Sequence, residues 1–263
     1  ITGGDNGPGY SDEHTTIEGF ALTQMSGIGW YGDLGNFLVM PTTGELFTYR
    51  GSEQYPEKGY RSRYSHEQEW ATPNYYAVKL TDYDKRSEKA SAGYYSVFLS
   101  DYKIKAELTA TPHCGIMRFT YPKHKQARIQ IDLARRVGGT STRQYIERVD
   151  DQTIRGWMRC TPAGGGWGNG SGKADYTVYF YAQFSCPLKE YGIWSADIPD
   201  NWTRRLGDIG KPEYIDRVIH AETFHKRDKM EGNHLGFYTE FPTEEGDEVV
   251  VKTGISFVSM KGA

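Results

Sequence analysis

The chain is poor in cysteine and contains no long hydrophobic run. Its three cysteines, Cys114, Cys160 and Cys186, form no CxxC pair, so no structural zinc site is predicted. Their odd number leaves at least one thiol unpaired, and one disulfide remains possible. No apolar stretch reaches the roughly 18 residues that a transmembrane helix needs. A chain of 263 residues is long enough to bury a large core without a disulfide or metal.

The chain has no strong excess of positive or negative charge, and it also lacks several catalytic motifs. The net charge is −3 and the pI is near 6.2, which gives no reason to expect a nucleic-acid partner. The basic clusters at Lys123–Lys125 and Arg135–Arg136 are short, and we interpret them as solvated strand ends. The absence of HExxH and HxH argues against a metal site, and the absence of GxSxG argues against a serine hydrolase. Spacing among the 34 acidic residues selects no carboxylate pair.

Aromatic residues and glycine are abundant, and period-two alternation recurs along the chain. Aromatics make up 14% of the residues and there are 31 glycines, a mixture that favours strands and tight turns. Apolar and polar residues alternate over 104–111, 128–133, 176–184 and 249–258, a pattern typical of half-buried antiparallel strands. Ile255 and Phe257 are placed on the same face as Val249 and Val251. Further strands are predicted over 36–40, 94–99, 116–121, 154–160 and 235–241.

The pattern predicts an all-β antiparallel sandwich with little helix, since helical periodicity is weak except over 213–219, just after Pro212. The length allows one large domain or two small ones. A near-repeat relates residues 75–83 to residues 94–102. We predict that these two strands pair with each other and that the charged segment 84–90 forms the turn between them.

Two glycine-rich segments each contain tryptophan. Residues 19–44 carry glycines at 27, 29, 32, 35 and 44 around Trp30 and Tyr31, which indicates a tight loop before a strand. Glycine allows close backbone approach by a ligand, but a purely structural turn fits equally well. Residues 161–173 lack the ending of a P-loop and fit a flexible connection better than a sugar-contacting loop.

Residues 19–44 resemble the N-terminal domain of glycoside hydrolase family 92. That family has Gly-Phe-Ser-x-Thr-His-x-Ser-Gly-x-Gly, then Gly-Asp-x-Gly and Met-Pro, and the matches here are Gly19, Phe20, Thr23, Ser26, Gly27, Gly29, Gly32, Asp33, Gly35, Met40 and Pro41. Further similar segments follow in the family's order at 92–97, 104–111, 178–185 and 252–259. The resemblance therefore covers nearly the whole chain.

The resemblance implies a calcium-dependent exo-α-mannosidase that hydrolyses terminal α-mannose with inversion. It implies that residues 1–263 form one galactose-mutarotase-like supersandwich, packed on a helical (α/α) barrel that follows residue 263. The general acid, the general base and the calcium contacts would lie in that second domain. The chain alone is then predicted to be inactive, with no catalytic or metal-binding residue of its own. A free-standing carbohydrate-binding module is the alternative.

The family resemblance also directs attention to four candidate substrate-binding residues. Trp30 and Tyr31 would face a mannose-containing glycan, with Gln24 where the family has histidine and Trp30 where it has cysteine. Asp33 is a further candidate, as an acceptor for sugar hydroxyls. The alternatives are a core position for Trp30 and a turn-capping role for Asp33.

The resemblance predicts two more properties, a partner surface and a location. An apolar patch is expected near the C-terminal end, where the second domain would pack. The protein is expected to be secreted, periplasmic or on the cell surface. No signal peptide is visible, and because the chain begins at Ile1 we interpret it as a mature or trimmed product.

Overall fold

Strands dominate the fold, which was obtained as a computed structural model. It describes residues 15–23, 33–52, 55, 57–64, 69–72, 75–78, 88–165 and 174–263. Within these residues the first ten strands are β1 Thr16–Ile17, β2 Phe20–Ala21, β3 Leu38–Thr43, β4 Ser62–Arg63, β5 Glu69–Thr72, β6 Tyr75–Val78, β7 Glu88–Ser91, β8 Tyr94–Leu99, β9 Ile104–Ala110 and β10 Cys114–Thr120.

The remaining described strands alternate with short turns up to the last, which ends at Ser256. They are β11 His124–Asp132, β12 Arg135–Arg136, β13 Gly139–Thr140, β14 Arg143–Arg148, β15 Thr153–Cys160, β16 Tyr176–Phe184, β17 Glu190–Ser195, β18 Glu222–His225, β19 Lys229–Gly232, β20 Leu235–Thr243 and β21 Glu248–Ser256. The helices described are α1 Leu206–Ile209 and α2 Pro212–Ile219, with one 3₁₀ turn at Pro162–Gly164.

Two antiparallel sheets form the layers of a sandwich. Among the described strands, the larger sheet has the order β19-β14-β15-β16-β21-β10-β9-β8-β7-β6-β5 and the smaller has the order β18-β17-β20-β11-β3-β2. Their facing side chains form one core, in which Phe37 and Phe180 lie 4.7 Å apart between ring centroids. The prediction of an all-β sandwich with little helix is confirmed.

Strand β11 departs from the predicted half-buried pattern, because both of its faces are buried. Ile129 and Ile131 enter the core between the sheets, as expected. On the opposite face, the amide of Gln130 donates to the carbonyl of Phe47 (2.7 Å), and the carboxylate of Asp132 accepts from the hydroxyl of Tyr60 (2.7 Å). The segment around Phe47 and Tyr60 therefore covers part of the outer face of the smaller sheet.

Helix α2 supplies a second, smaller core on that outer face. It begins at Pro212, whose fixed φ suits the first turn, so the helix predicted over 213–219 is confirmed. Its buried residues Tyr214, Ile215 and Val218 pack with Tyr49 and Ile198. The positions 214, 215 and 218 form one helical stripe, which explains why a helix this short holds its place.

The near-repeat strands do not pair with each other, so that prediction is wrong. Strand β7, Glu88–Ser91, lies between β6 and β8 and pairs with both, so part of the predicted turn is itself a strand. Residues 84–90 contain no β-branched or aromatic residue, and hence gave no strand signal. Its pairing depends on its neighbours in the sheet.

Strand β21 ends at Ser256, before the predicted end at 258. The hydroxyl of Ser256 accepts a hydrogen bond from the amide of Val258 (3.1 Å) and turns the chain. Val249 and Val251 are buried as predicted, but Phe257 is 55% exposed, so its assignment to the buried face is wrong.

Two further findings concern thiols and membranes. Cys114, Cys160 and Cys186 are all free thiols. Across the described ranges, no helix has the length and apolar character needed to cross a membrane.

Candidate functional site

The four predicted substrate-binding residues precede strand β3 in the sequence. Asp33 lies within the described residues, whereas Gln24, Trp30 and Tyr31 lie outside them. What the structure does describe is the base of that glycine-rich segment, from which the chain departs at Thr23 and to which it returns at Asp33.

The two ends of the segment are held together by hydrogen bonds. The amide of Gly35 donates to the carbonyl of Thr23 (2.7 Å), and the amide of Asn36 donates to the hydroxyl of Thr23 (2.8 Å). Leu34 and Phe37 have φ values of 67° and 55°, which non-glycine residues rarely adopt. Positive φ values also occur at Lys103, Asp197, Lys226 and His234, so this strain does not separate a ligand-facing role from a plain turn, and the ligand-facing role stays a prediction.

Asp33 forms an ion pair with Arg136, whose side chain is 0% exposed. The carboxylate of Asp33 remains partly exposed while its Oδ1 accepts from the guanidinium. Asp33 thus holds a buried cation in place, a role that the sequence did not predict. The proposal that it also accepts hydrogen bonds from sugar hydroxyls stays a prediction.

The sequence interpretation of Arg135–Arg136 as solvated strand ends is wrong, because both side chains are buried. Arg135 pairs with Glu18 (Nη2 to Oε2, 3.0 Å) and Arg136 pairs with Asp33. A signal was present in the sequence: apolar residues flank the pair on both sides, at Leu133–Ala134 and at Val137. Such flanks place a charged pair in the interior when carboxylates can reach it.

Tyr176 and Cys160 complete the surroundings of Arg136. The hydroxyl of Tyr176 accepts from the amide of Leu34 (2.7 Å), and its ring lies 5.4 Å from the guanidinium carbon of Arg136. Burial raises the pKa of the Cys160 thiol and that of the Tyr176 hydroxyl. Both groups therefore stay protonated at neutral pH and act as structural partners, not as a nucleophile or base.

An apolar groove of about 650 Å³ begins at the base of the glycine-rich segment. Leu22 and Leu34 form one wall, and Phe257 and Val258 lie at its edge with exposures of 55% and 83%. The expected apolar patch near the C-terminal end is therefore present. No carboxylate is among the described residues that line the groove, which leaves that lining without a general acid or base.

The described carboxylates with a resolved pKa shift are all shifted downward. Lys226 lowers the pKa of Glu190 by a hydrogen bond, and the amide of Gln152 lowers that of Asp150. Burial alone would raise the pKa of Glu107, but hydrogen bonds from Tyr94 and Lys105 outweigh it. A glycosidase general acid needs a raised pKa, so these groups have the electrostatics of structural ion pairs.

Comparison with known proteins places the chain in a family. The family model described as "Glycosyl hydrolase family 92 N-terminal domain" matches residues 1–86 and 81–256. The chain belongs to glycoside hydrolase family 92. Among curated proteins, none matches this chain.

Solved structures of family 92 enzymes resemble the chain along its length. The family GH92 alpha-mannosidase BT3965 from Bacteroides thetaiotaomicron is 33% identical, with a TM-score of 0.71 over 98% of this chain. The structure of the same enzyme in complex with mannoimidazole is 32% identical to this chain, with a TM-score of 0.72. The inverting mannosidase BT2199 from the same organism, at 20% identity and a TM-score of 0.62, shares the fold. The chain spans 29% of the length of BT3965.

Proposed function

We propose that this chain is the N-terminal β-sandwich domain of a calcium-dependent exo-α-mannosidase that hydrolyses terminal α-mannose with inversion. The observation that carries the proposal is the 33% identity to an α-mannosidase over 98% of this chain. In this proposal the chain supplies substrate-facing loops, while the catalytic acid and base lie in the part of the enzyme that its 29% share of that relative leaves out. A mannose-containing glycan in a secreted, periplasmic or cell-surface setting is the proposed substrate.

Calcium is assigned to the remainder of the enzyme. Among the residues that the structure describes, no group of three histidine, cysteine, aspartate or glutamate side chains could hold a metal ion. Calcium requires six to eight oxygen ligands, and such sets are built from several carboxylates. The described donor set does not fit that requirement.

The apolar groove is proposed as the contact with that remainder. Phe257 and Val258 are the most exposed of the large hydrophobic side chains described, and they lie beside the base of the glycine-rich segment. A helical domain packed over them would bury the patch and would bring its carboxylates close to that segment. The groove therefore supports an active site shared between the two domains.

Activity of the full-length protein compared with that of residues 1–263 tests the proposal. We expect the full-length protein to release mannose from an α-mannoside, to lose activity with a chelator and to recover it with calcium. The 263-residue segment should release none. Calcium-dependent mannose release by the segment alone would contradict the proposal, and mannose binding by the inactive segment in calorimetry would favour a free-standing binding module.

Trp30 provides a second test, at the level of the substrate-facing segment. Trp30→Ala in the full-length protein should lower kcat/KM about tenfold or more, chiefly through KM, with little change in Tm, if an indole face contacts the sugar. Trp202→Ala is the matched control, because Trp202 packs on Tyr214 and Arg217 in the second core and should lower Tm without raising KM. A large loss of Tm with unchanged KM for Trp30→Ala would make Trp30 a core residue.

A further inference from the structure

Arg136 lies between the bases of the two glycine-rich segments. The first segment returns to the described chain at Asp33, and the second leaves it at Gly165 and returns at Ala174. These bases are more than a hundred residues apart in sequence, so no local pattern links them. The structure brings them into contact through one buried side chain.

The guanidinium of Arg136 reaches both bases at once. Its Nη2 donates to the carboxylate of Asp33, and its Nη1 donates to the carbonyl of Thr161 (2.6 Å). Arginine presents donors in a rigid planar fork, so two acceptors on different segments are held at a set distance from each other. A lysine ammonium at this position could pair with Asp33 but lacks the fork that reaches Thr161.

Packing against Arg136 also explains a glycine of the second segment. A Cβ atom on Gly165 would lie 2.2 Å from the guanidinium carbon of Arg136, so a side chain there would displace the arginine. The backbone of the second segment therefore lies directly on the guanidinium. This close approach gives a steric reason for glycine at position 165, separate from the flexibility of its backbone.

A second set of contacts joins the same two bases directly. The hydroxyl of Tyr176, just after the second segment, accepts from the amide of Leu34, just after the first (2.7 Å). The side-chain nitrogen Nδ2 of Asn36 lies 3.4 Å from the sulfur of Cys160. The two bases thus form one connected unit, with Arg136 at its centre.

We propose that Arg136 is a positioning residue that fixes the bases of the two glycine-rich segments relative to each other, so that substrate binding at the first segment depends on the second. This rests on the proposed function, in which the first segment faces an α-mannoside. Arg136 acts through Asp33 and Thr161, not by touching the sugar.

Arg136→Lys in the full-length protein tests the proposal, because it keeps the charge and removes the fork. We expect kcat/KM for an α-mannoside to fall at least about tenfold, mainly through KM. The matched control is Arg128→Lys. Arg128 is equally buried and binds Glu240 and the carbonyls of Gly44 and Glu45, but it touches neither base. The kcat/KM of the Arg128→Lys variant should change less than about twofold, even if its Tm falls as much as that of the Arg136→Lys variant.

Hydrogen exchange provides a readout that does not require activity. In Arg136→Lys, peptides covering both described bases, 33–37 and 161–165, should exchange faster than in the parent protein, while in Arg128→Lys neither should. Asp33→Asn, which keeps an acceptor and removes the charge, should give a smaller change in the same two peptides. Faster exchange in one segment alone, or an equal change in both lysine variants, would overturn the proposal.

The two readouts separate failure of this inference from failure of the proposed function. A full-length parent protein that releases no mannose would refute the mannosidase assignment, while the exchange experiment would still decide whether Arg136 links the two segments. An active parent whose Arg136→Lys variant retains its kcat/KM within about twofold would refute the positioning role alone.

Discussion

Replacing Glu18 with alanine is expected to lower the free energy of unfolding by about 3–5 kcal/mol, because it removes the carboxylate that pairs with the buried Arg135 and the partly exposed Arg50. The side chain of Glu18 is 6% exposed, and its two oxygens pair with Arg50 (3.1 Å) and Arg135 (3.0 Å). Arg135 is almost fully buried and cannot turn to solvent when its partner is removed. Since domains unfold at about 5–15 kcal/mol, this loss would take a large share of the total.

Urea denaturation at neutral pH measures this effect, and Glu190→Ala is the matched control. Glu190 also contacts two basic groups, Lys226 (3.0 Å) and His225 (3.2 Å), but its side chain is 52% exposed. Exposed ion pairs contribute about 0–1 kcal/mol, so Glu190→Ala should change the midpoint little. Equal effects of the two alanine variants would show that burial does not govern these ion pairs.

Acidification is expected to destabilise the protein between about pH 6.5 and pH 4 through His234. The pKa of His234 is lowered from 6.5 to about 4, chiefly by burial; Asp132 opposes this shift, and the nearby Arg204 and Arg50 contribute to it. A hydrogen bond joins its Nδ1 to the hydroxyl of Tyr214 (2.9 Å). The imidazole is therefore held neutral beneath helix α2.

The direction of the effect follows from proton linkage. The unfolded chain takes up a proton at His234 at about pH 6.5, while the folded chain does so only near pH 4, so falling pH favours unfolding across that window. The stabilisation is complete above about pH 7. The difference of roughly 2.5 pKa units corresponds to about 3 kcal/mol lost by pH 4.

The variant His234→Asn isolates this contribution. His234 has a φ of 52°, a conformation that asparagine tolerates, and an amide offers Tyr214 both a donor and an acceptor but does not titrate. The decrease in unfolding free energy from pH 7.5 to pH 5 should be clearly smaller in this variant. His225→Asn, at an exposed histidine, should keep the parent's pH dependence; an unchanged pH dependence in His234→Asn would contradict the assignment.

The two effects have a common origin in the covering of the smaller sheet. Asp132, Arg135 and His234 lie around one cavity with Tyr49, Arg50 and the α2 residues Tyr214 and Val218, and Glu18 pairs with Arg50 and Arg135 beside it. Their charges are paired inside the protein because this cover removes them from water. Stability therefore depends on a polar layer outside the main core as well as on the apolar core between the sheets.

Much of the fold was predictable from local patterns. Alternation over 104–111, 128–133 and 176–184 located strands β9, β11 and β16, because side chains of a strand point to opposite faces in turn. Pro212 and the apolar positions after it located helix α2. The sequence was also sufficient for the family, since its glycine and aromatic motifs recur in the family's order and the matching family model covers residues 1–86 and 81–256.

What the sequence did not reveal is which polar residues lie inside. The apolar residues that flank Arg135 and Arg136 are compatible with burial, but their partners Glu18 and Asp33 lie far away in the chain, and no local pattern pairs them. Alternation likewise did not show that the second face of β11 is covered, or that Glu88–Ser91 lies between the near-repeat strands. Local periodicity specifies one side of a strand. The other side is buried only when distant segments of the chain fold over the strand. Arg136 likewise meets the bases of the two glycine-rich segments only in the tertiary structure.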